Sequence, residues 1–500
     1  MQGEAFLLGI DVGSSSIKAS LVNVETGKTK VSAQSPAEEM PMVSIKAGWA
    51  EQDPEMWWLH VVNSVRLCLK KSEVAPSTIS AIGISYQMHG LVTIGKDHRP
   101  IRPAIIWCDS RSVEIGEKAF KNLGQEFCLQ HYLNSPGNFT ASKLRWIQEF
   151  EPEKFNRIYK IMLPGDYIAL KMTGEIATTD TGLSEGIFWD FQQNGIAIDL
   201  LKEYGIDSEL LPHTVPVFCS QGKLSETAAN ELGLAKGTVI SYRAGDQPNN
   251  AFSLNVLKPG EMAATAGTSG VIYGITEKDA FDKKSRVNTF VHVNNQVNHK
   301  RNGVLLCING TGILNSWLRK NMKGNGSVYG YDEINEIASR APIGSEGLTF
   351  IPFGNGAERI LENKMVSSSI YGLNFNLHTQ SHLFRAAQEG IVFALKYGFE
   401  ILQEMGLKTD VIKAGHTNMF LSPLFREAFV NTIGAQLELY DTDGAKGAAL
   451  GAGVGAGVYH NFGEAFKGLN LIESKQPDVS LTEQYLHSYN RWKQKLNCEL

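Results

Sequence analysis

The chain has 500 residues, of which 43% are hydrophobic and 20% charged, and its formal net charge is −5. A chain of this length exceeds what one hydrophobic core supports, so we expect two domains of a globular protein. The small negative charge argues against nucleic acid or an anionic membrane as the main partner.

The cysteines and the chain ends add further limits. The six cysteines include no Cys-x-x-Cys pair, so neither a zinc site nor a disulfide framework is indicated, and a reducing cytoplasm fits. The first residues lack a basic leader and enter a glycine motif by Gly9, so we expect no signal peptide. The longest run of small apolar residues, 447–459, contains glycines and is too short to span a bilayer.

The first predicted element is a β-hairpin. Residues 6–10 form a short apolar run typical of a buried strand, and residues 17–22 alternate like a half-buried return strand. The turn Asp11-Val12-Gly13-Ser14-Ser15-Ser16 carries a carboxylate and small residues. Small residues let backbone N–H groups approach an anion, and such turns form anion-binding nests. A hairpin turn without a ligand is the alternative, and this motif alone does not decide between them.

Two further strands are predicted to end in polar groups. Residues 79–85 lead into Gln87-Met88-His89-Gly90, and a strand over residues 102–107 leads into Asp109 and Arg111. Ligands of α/β folds bind at the carboxyl ends of buried strands, so both ends are candidate sites. The alternatives are a structural role for the histidine and an ion pair between Asp109 and Arg111, which is the favoured single role for Asp109.

The middle of the chain is predicted to alternate helices and loops from residue 134 to 190, with 178–182 as a polar turn. Beyond it lies the most informative stretch, Arg243-Ala244-Gly245-Asp246-Gln247. A β-branched run over residues 238–242 predicts a buried strand that aims Asp246. A lone Gly-Asp pair is usually a surface turn, but here a second glycine-rich loop follows it.

That second loop is Gly267-Thr268-Ser269-Gly270, between predicted strands at 261–265 and 271–273. The arrangement copies the opening hairpin in outline though not in sequence. Two such hairpins predict two related domains facing across a cleft, with a boundary near Ala251.

The C-terminal part holds three more features. A predicted strand at 303–308 enters Asn309-Gly310-Thr311-Gly312 and a helix, and a long helix is predicted over 382–405. Residues 413–418 form a strand-to-helix turn whose N–H groups could meet a nucleotide. The glycines of 451–457 fail the G-x-G-x-x-G spacing and favour close helix packing instead.

Together these motifs resemble the FGGY family of carbohydrate kinases over nearly the whole chain, most closely its xylulose-phosphorylating members. The matching segments, in family order, are Asp11-Val12-Gly13-Ser14-Ser15-Ser16-Ile17-Lys18, Gly48-Trp49-Ala50-Glu51-Gln52-Asp53-Pro54, Gln87-Met88-His89-Gly90, Gly245-Asp246 and Gly267-Thr268-Ser269-Gly270. The resemblance implies an α/β fold of two actin-like, ribonuclease H-like domains facing across a hinged ATP and sugar cleft. Residues 1–251 would form the sugar-binding domain and residues 252–500 the nucleotide-binding domain.

The resemblance also implies roles for individual residues. Asp246 would be the catalytic base, and Asp11 would be catalytic by holding Mg²⁺ through water. The substrate-binding residues would be Gln87, Met88, His89, Asp109 and Gln247. The nucleotide-binding residues would be Gly13, Ser14, Ser15, Lys18, Gly267, Thr268, Ser269, Gly310, Gly415 and Asn418. ATP and Mg²⁺ are the implied cofactors and a small sugar the implied partner, with no nucleic acid, no membrane and a homodimer left open.

The activity implied is transfer of phosphate to the terminal hydroxyl of a ketopentose, D-xylulose to D-xylulose 5-phosphate. The alternatives are a kinase for ribulose, gluconate or glycerol, a sugar- or nucleotide-sensing protein on the same fold, and an actin- or chaperone-like ATPase. Two positions depart from the family pattern. Cys108 replaces an asparagine, and the adenosine-loop glycine triplet is reduced to Ala414-Gly415-His416.

Overall fold

The structure is a computed structural model of the chain, and it describes residues 4–324 and 326–500. The strands are β1 (Phe6–Val12), β2 (Ile17–Asn23), β3 (Thr29–Ser35), β4 (Glu51–Gln52), β5 (Ile79–Tyr86), β6 (Val92–Ile94), β7 (Ala104–Ile105), β8 (Lys160–Met162), β9 (Ala177–Thr178), β10 (Trp189–Asp190), β11 (Gly195–Ile196), β12 (His213–Thr214), β13 (Val239–Gly245), β14 (Met262–Ala266), β15 (Gly270–Thr276), β16 (Asn288–Val291), β17 (Asn302–Ile308), β18 (Thr349–Ile351), β19 (Ala357–Glu358), β20 (Lys364–Met365), β21 (Ser369–Tyr371), β22 (Val411–Gly415), β23 (Gln436–Tyr440) and β24 (Leu471–Lys475). The α-helices are α1 (Pro54–Ser72), α2 (Val113–Leu123), α3 (Gln125–His131), α4 (Thr140–Phe150), α5 (Pro152–Phe155), α6 (Pro164–Thr173), α7 (Asp180–Glu185), α8 (Ile198–Tyr204), α9 (Glu226–Leu232), α10 (Asp246–Ser253), α11 (Gly312–Asn321), α12 (Tyr331–Ala338), α13 (Gln380–Glu404), α14 (Pro423–Ile433), α15 (Gly444–Gly455), α16 (Phe462–Ala465) and α17 (Val479–Glu499).

The first of two large sheets has the strand order β13-β5-β1-β2-β3. The β1, β2 and β3 strands pair antiparallel, whereas β5 and β13 add in parallel to β1. Strands covered on both faces are near-continuously apolar, which the sequences of β1 and β5 satisfy. One face packs against α1 and the opposite face against α15.

The second large sheet has the order β16-β17-β15-β14-β22-β23-β24. Its inner five strands, β17-β15-β14-β22-β23, repeat the order of the first sheet, with an antiparallel hairpin followed by parallel strands. One face packs on α13, and α10 contacts the hairpin of β14 and β15. The predicted duplication of the hairpin therefore extends to the whole sheet.

Helices α10 and α15 pack on each other between the two sheets. Helix α15 comes from the C-terminal half of the sequence, yet it lies on the first sheet. Gly9 of β1 and Gly83 of β5 face it, and a Cβ on either would overlap the helix backbone at Ala445 or Ala448. The helix-packing interpretation of residues 451–457 is thus confirmed, since α15 spans most of them.

Two local predictions are wrong. Only Ala104 and Ile105 of the predicted 102–107 strand are in β structure, and they pair with β4 outside the large sheets. Pro103 offers no N–H to a ladder, and Arg102 is held by ion pairs to Glu51 and Glu151 instead.

Residues 178–182, predicted as a turn, contain the start of α7. The hydroxyl of Thr179 caps this helix by accepting from the Gly182 N–H at 3.0 Å. Among the helices that the structure describes, none is both long and apolar enough to cross a membrane.

We predict that Gly83→Ala destabilises the protein by roughly 1–3 kcal/mol or more, because the added methyl meets helix backbone and not a movable side chain. Gly195→Ala is the control, since the nearest atom to its Cβ would be 3.8 Å away. The thermal unfolding midpoints of both variants measure the effect, and equal midpoints would contradict the tight contact.

Candidate active site

Asp11 lies at the end of β1, where this strand, β5 and the start of α15 meet. Its Oδ1 accepts a 2.8 Å hydrogen bond from the Ser85 hydroxyl on the neighbouring strand. The carboxylate also reaches the first turn of α15, since a Cβ on Gly444 would overlap it. Burial raises the pKa of Asp11, and the charge of Asp443 raises it further against the opposing effect of Ser85.

The turn after Asp11 leaves backbone N–H groups available. The carbonyls of Ser14 and Ser15 accept from Gln52 Nε2 at 2.7 Å and the Met40 N–H at 2.8 Å. Within residues 4–324 and 326–500 the N–H groups of Ser14 and Ser15 donate to nothing. Lys18 follows in β2 and forms a 2.5 Å ion pair with Asp443, the N-cap of α15.

Asp246 is the first residue of α10, directly after β13 ends at Gly245. Its pKa is raised to about 7, first by burial and then by the charge of Asp11, while Gln247 lowers it through hydrogen bonds. Asp11 is therefore close enough for its charge to act on Asp246.

The Gln87-Met88-His89 segment lies beside Asp246. Met88 and Glu185 both pack on Gly245, whose ideal Cβ position is 2.6 Å from Met88 Cγ and 2.5 Å from Glu185 Oε2. The side chain of Gln87 is buried, and neither its oxygen nor its nitrogen has a partner among the described groups.

His89 is held in one tautomer by its surroundings. Its Nδ1 lies 2.9 Å from the Glu185 carbonyl oxygen, which can only accept, so Nδ1 carries the proton and Nε2 can accept. Burial lowers the pKa of His89 to about 3, so the ring is neutral. The ring packs edge-on against Phe139 at 5.0 Å.

The backbone of His89 has a φ of 60°, a conformation that is uncommon for residues other than glycine. Lys143 of α4 supports it: Nζ donates to the carbonyls of His89 at 2.9 Å and Ile106 at 3.0 Å. This lysine is fully buried, and burial lowers its pKa to about 8.

Asp109 forms the ion pair with Arg111 that the sequence favours as its role. It is fully buried, and its Oδ2 lies 2.6 Å from Arg111 Nη2 and accepts from the Ala50 N–H at 2.6 Å. Its oxygens are thus engaged by the protein. Arg111 also pairs with Glu51 at 2.6 Å and lies over the ring of Trp49.

The second glycine loop joins β14 to β15 as predicted. The carbonyls of Gly267 and Thr268 accept from the N–H groups of Gly312 at 2.9 Å and Ile313 at 3.3 Å, at the start of α11. The Asn418 amide nitrogen is 3.6 Å from the ideal Cβ position of Gly267, so the predicted adenosine turn adjoins the predicted phosphate loop.

Two of the remaining predicted nucleotide residues are partly enclosed by protein. Gly310 packs against the Pro352 carbonyl, and its N–H, like that of Asn309, is bonded by the Glu358 carboxylate. Gly415 ends β22, with the Thr442 carbonyl 3.0 Å from its ideal Cβ position.

The residues fit a cation held mainly by water and phosphate. In the part of the chain that the structure describes, no three His, Cys, Asp or Glu side chains converge as a metal cage. Asp11, Asp246 and Asp443 nevertheless outnumber the nearby cation, Lys18. Mg²⁺ is usually bound in this way, through one or two carboxylates plus waters and substrate phosphates.

The model of the FGGY family of carbohydrate kinases, N-terminal domain, matches residues 6–253, and that of the C-terminal domain matches residues 262–459. The chain belongs to the FGGY family of carbohydrate kinases. It is 27% identical to a xylulose kinase of Haemophilus influenzae over 505 residues, covering 97% of this chain and 98% of that protein.

Solved structures of carbohydrate kinases share the fold. A ligand-bound xylulose kinase from Lactobacillus acidophilus matches with a TM-score of 0.86 at 23% identity, covering 99% of this chain and 98% of the other. A gluconate kinase from the same organism matches with a TM-score of 0.86 at 22% identity and the same coverage. At such identities the likeness establishes the fold and does not select the sugar.

The predicted fold of two actin-like domains and the predicted activity class are therefore confirmed. The FGGY chain is a carbohydrate kinase, a phosphotransferase with an alcohol group of a small sugar as acceptor, and kinases of this family use ATP.

Four side chains near the site were missed by sequence reasoning: Lys143, Glu185, Glu358 and Arg359. Burial, then the charges of Asp246 and Asp166, raise the pKa of Glu185 well above its ordinary value, and its Oε1 has no described partner. Burial also raises the pKa of Glu358 to about 8. Lys143 and Glu185 lie in helices, Glu358 and Arg359 lie at a two-residue strand, and none of the four belongs to a glycine motif, so no local pattern marked them.

We predict that Asp246→Asn stabilises the ligand-free FGGY chain at alkaline pH. Because the folded-state pKa of Asp246 lies above the unfolded value, the stability of the wild type falls as pH rises from about 4 to 7. Asparagine cannot ionise, so the advantage of the variant should grow across that window and level off above it, at on the order of 2–4 kcal/mol.

Thermal midpoints of wild type and variant between pH 4 and 9 test this. Asp109→Asn is the control with the opposite sign, because it removes an acid partner from the buried Arg111 and should destabilise. If Asp246→Asn were less stable than the wild type at pH 8, the raised pKa of Asp246 would be contradicted.

Proposed function

We propose that the chain phosphorylates D-xylulose at its terminal C5 hydroxyl, with ATP as donor and Mg²⁺ as the metal. The observation that carries this is the placement of Met88 directly against Gly245, next to Asp246, with a neutral His89 following it on the carbonyl of Glu185. The xylulose kinase relatives, at 27% and 29% identity with nearly full coverage, support the same substrate.

Asp246 is assigned as the general base. A carboxyl with a pKa near 7 holds a proton far better than an ordinary aspartate, and a base poised near the working pH is the effective one. It would accept the proton of the C5 hydroxyl as the oxygen attacks the γ-phosphate. Phosphoryl transfer otherwise needs alignment and charge neutralisation more than covalent help.

Asp11 is assigned to Mg²⁺, through water. When bound, the cation neutralises charge on the phosphates and relieves the repulsion between Asp11 and Asp246. The free N–H groups of Ser14 and Ser15, with Lys18, would meet phosphate on one side. Gly13 would shape this turn, since its own N–H donates to the Ser16 carbonyl at 3.1 Å.

The turn Gly267-Thr268-Ser269 would meet phosphate on the other side. Gly415 and Asn418 would border the adenosine, and Gly310 would support this region from behind, because its N–H is bonded by Glu358. The neighbouring position of Gly267 and Asn418 supports a single nucleotide site.

The sugar is assigned to His89, Met88 and Gln87. The Nε2 of His89 would accept from a sugar hydroxyl, and the unpartnered amide of Gln87 would gain a partner in the complex. Gln247 adjoins Asp246 and is kept as a candidate. Asp109 would act through Arg111 and Ala50, as its contacts run to them.

Residues 1–251 and 252–500 are proposed as the sugar and nucleotide domains. Closure of the cleft would exclude water and limit wasteful ATP hydrolysis. A cytoplasmic location and a homodimer remain predictions.

The substrate is tested by an ADP-release assay over D-xylulose, D-ribulose, L-ribulose, glycerol and D-gluconate. We expect the highest kcat/KM with D-xylulose, and ADP release that requires sugar. A kcat/KM at least tenfold higher for another compound would overturn D-xylulose as the substrate, while the assignment as a kinase would stand. ADP release without any sugar would point to an ATPase instead.

We predict that Asp246→Asn lowers the sugar-dependent kcat at least about a hundredfold, since loss of a general base usually costs 10²–10⁴ in rate. The dissociation constants for ATP and sugar should stay within a few-fold, because asparagine has nearly the same size. In the wild type, kcat/KM for sugar should fall about tenfold per pH unit below pH 7, as Asp246 becomes protonated.

The residual rate of Asp246→Asn should lack this pH dependence. Asp109→Asn, assayed per folded molecule at a temperature where it is stable, is the comparison. If that variant loses kcat while Asp246→Asn keeps it, the base has been misassigned.

A further inference from the structure

Arg359 is an arginine of the C-terminal half that reaches residues of the N-terminal half. Its Nη1 donates to the Ser135 hydroxyl at 3.2 Å and to the Ser285 carbonyl at 3.3 Å. The guanidinium lies 5.3 Å from the centre of the Phe139 ring. Gly137, with a φ of 36°, makes room for it, since its ideal Cβ position is 3.0 Å from Arg359 Nη2.

This guanidinium has no counter-charge. Among the residues that the structure describes, no carboxylate lies within 4.0 Å of it, unlike Arg111, Arg243 or Arg385. The hydrogen bonds that Arg359 makes to described groups all come from Nη1. The N–H groups of Nε and Nη2 therefore remain free to donate. Enclosure alone lowers the pKa of Arg359 to about 10. Arg359 is half-buried, and a partly buried charge without a counter-charge is suited to receive a ligand.

Arg359 lies near the predicted sugar-binding residues, because its charge acts on His89. Phe139 contacts both the guanidinium and, at 5.0 Å, the ring of His89. On the other side of His89, Met88 packs on Gly245, and Asp246 follows. A substrate whose phosphorylated hydroxyl faces Asp246 and whose middle faces His89 therefore presents its far end to Arg359.

The backbone beside Arg359 is tied to the nucleotide half. Glu358 accepts the Asn309 N–H at 3.1 Å and also bonds Gly310, immediately before α11. That helix in turn bonds the Gly267 carbonyl. Adjacent residues thus face the two ligands, Glu358 on the phosphate side and Arg359 on the sugar side.

We infer that Arg359 is a specificity-determining residue that donates hydrogen bonds to the oxygens at the substrate end remote from the phosphorylated hydroxyl. For the ketopentose of the proposed function, on which this inference rests, those oxygens are the C2 carbonyl and the C1 hydroxyl. A carboxylate at the same end would present similar oxygen acceptors to the same two donors.

The test compares wild type with Arg359→Gln and Arg359→Lys. The control is Arg340→Gln, which removes an exposed arginine of the same half whose ion pair, among the described residues, is with Glu336. Each protein is assayed with D-xylulose and D-gluconate. Xylitol, a pentitol without the carbonyl, is used as substrate and as competitive inhibitor. The KM for ATP and the thermal midpoint are measured alongside.

We expect Arg359→Gln to lower kcat/KM for the preferred sugar at least tenfold, chiefly through KM, while the KM for ATP stays within twofold. Its preference for D-xylulose over xylitol should also shrink at least tenfold, because the donors that read the carbonyl are gone. The kcat/KM of Arg359→Lys should fall between those of the wild type and Arg359→Gln, since lysine keeps the charge but loses the planar guanidinium with its several donors. Arg340→Gln should match the wild type.

If Arg359 were only a structural clamp between the halves, Arg359→Gln would lower the thermal midpoint and raise the KM for both sugar and ATP without changing the preference for D-xylulose over xylitol, and that result overturns the inference. So does an Arg359→Gln enzyme with wild-type sugar kinetics. If D-gluconate is the better wild-type substrate and Arg359→Gln loses it, the proposed substrate fails while the role of Arg359 stands.

Discussion

The close approach of α15 to the first sheet is the contact on which the site depends. Gly9 and Gly83 remove the side chains that would hold the helix away, and its first residue then lies against the carboxylate of Asp11. The same helix fixes α10, because the Asn249 amide donates to the Gly444 carbonyl at 2.9 Å. One packing contact therefore sets the positions of both acids, and it joins chain segments that are far apart in sequence.

The electrostatics of the site are unbalanced in the protein alone. Asp11 and Asp246 repel each other, while Arg359 has no carboxylate within 4.0 Å among the residues that the structure describes. Such arrangements cost stability and persist where a ligand uses them. On the proposed assignment, metal and nucleotide supply the missing positive charge and phosphate groups at one end. The sugar supplies acceptors at the other end, so the cleft is satisfied only when both ligands are present.

Local patterns predicted the two hairpins, the strand before Asp246 and the helical nature of residues 451–457, because alternation and glycine placement act over a few residues. They could not predict that α15 would cross to the first sheet, since that is a tertiary contact. The strand at 102–107 was predicted too long, because the prediction followed the apolar residues and gave too little weight to Pro103, which cannot donate to a ladder. Glu185 lies at the end of a short helix just after the segment predicted as a polar turn, and Arg359 follows a two-residue strand with no motif.

On the proposed sugar side, the strained backbone of His89 is held by a buried lysine. His89 adopts a positive φ, which turns its ring toward Phe139 and lets Nδ1 reach the Glu185 carbonyl. The cost is offset by Lys143, whose buried ammonium bonds the His89 carbonyl and the Ile106 carbonyl together. Burial lowers the pKa of this lysine to about 8, against the opposing effect of the charge of Asp109. The protein thus uses a costly buried charge to hold one imidazole, which is reasonable only if the free Nε2 of that imidazole has a ligand to receive.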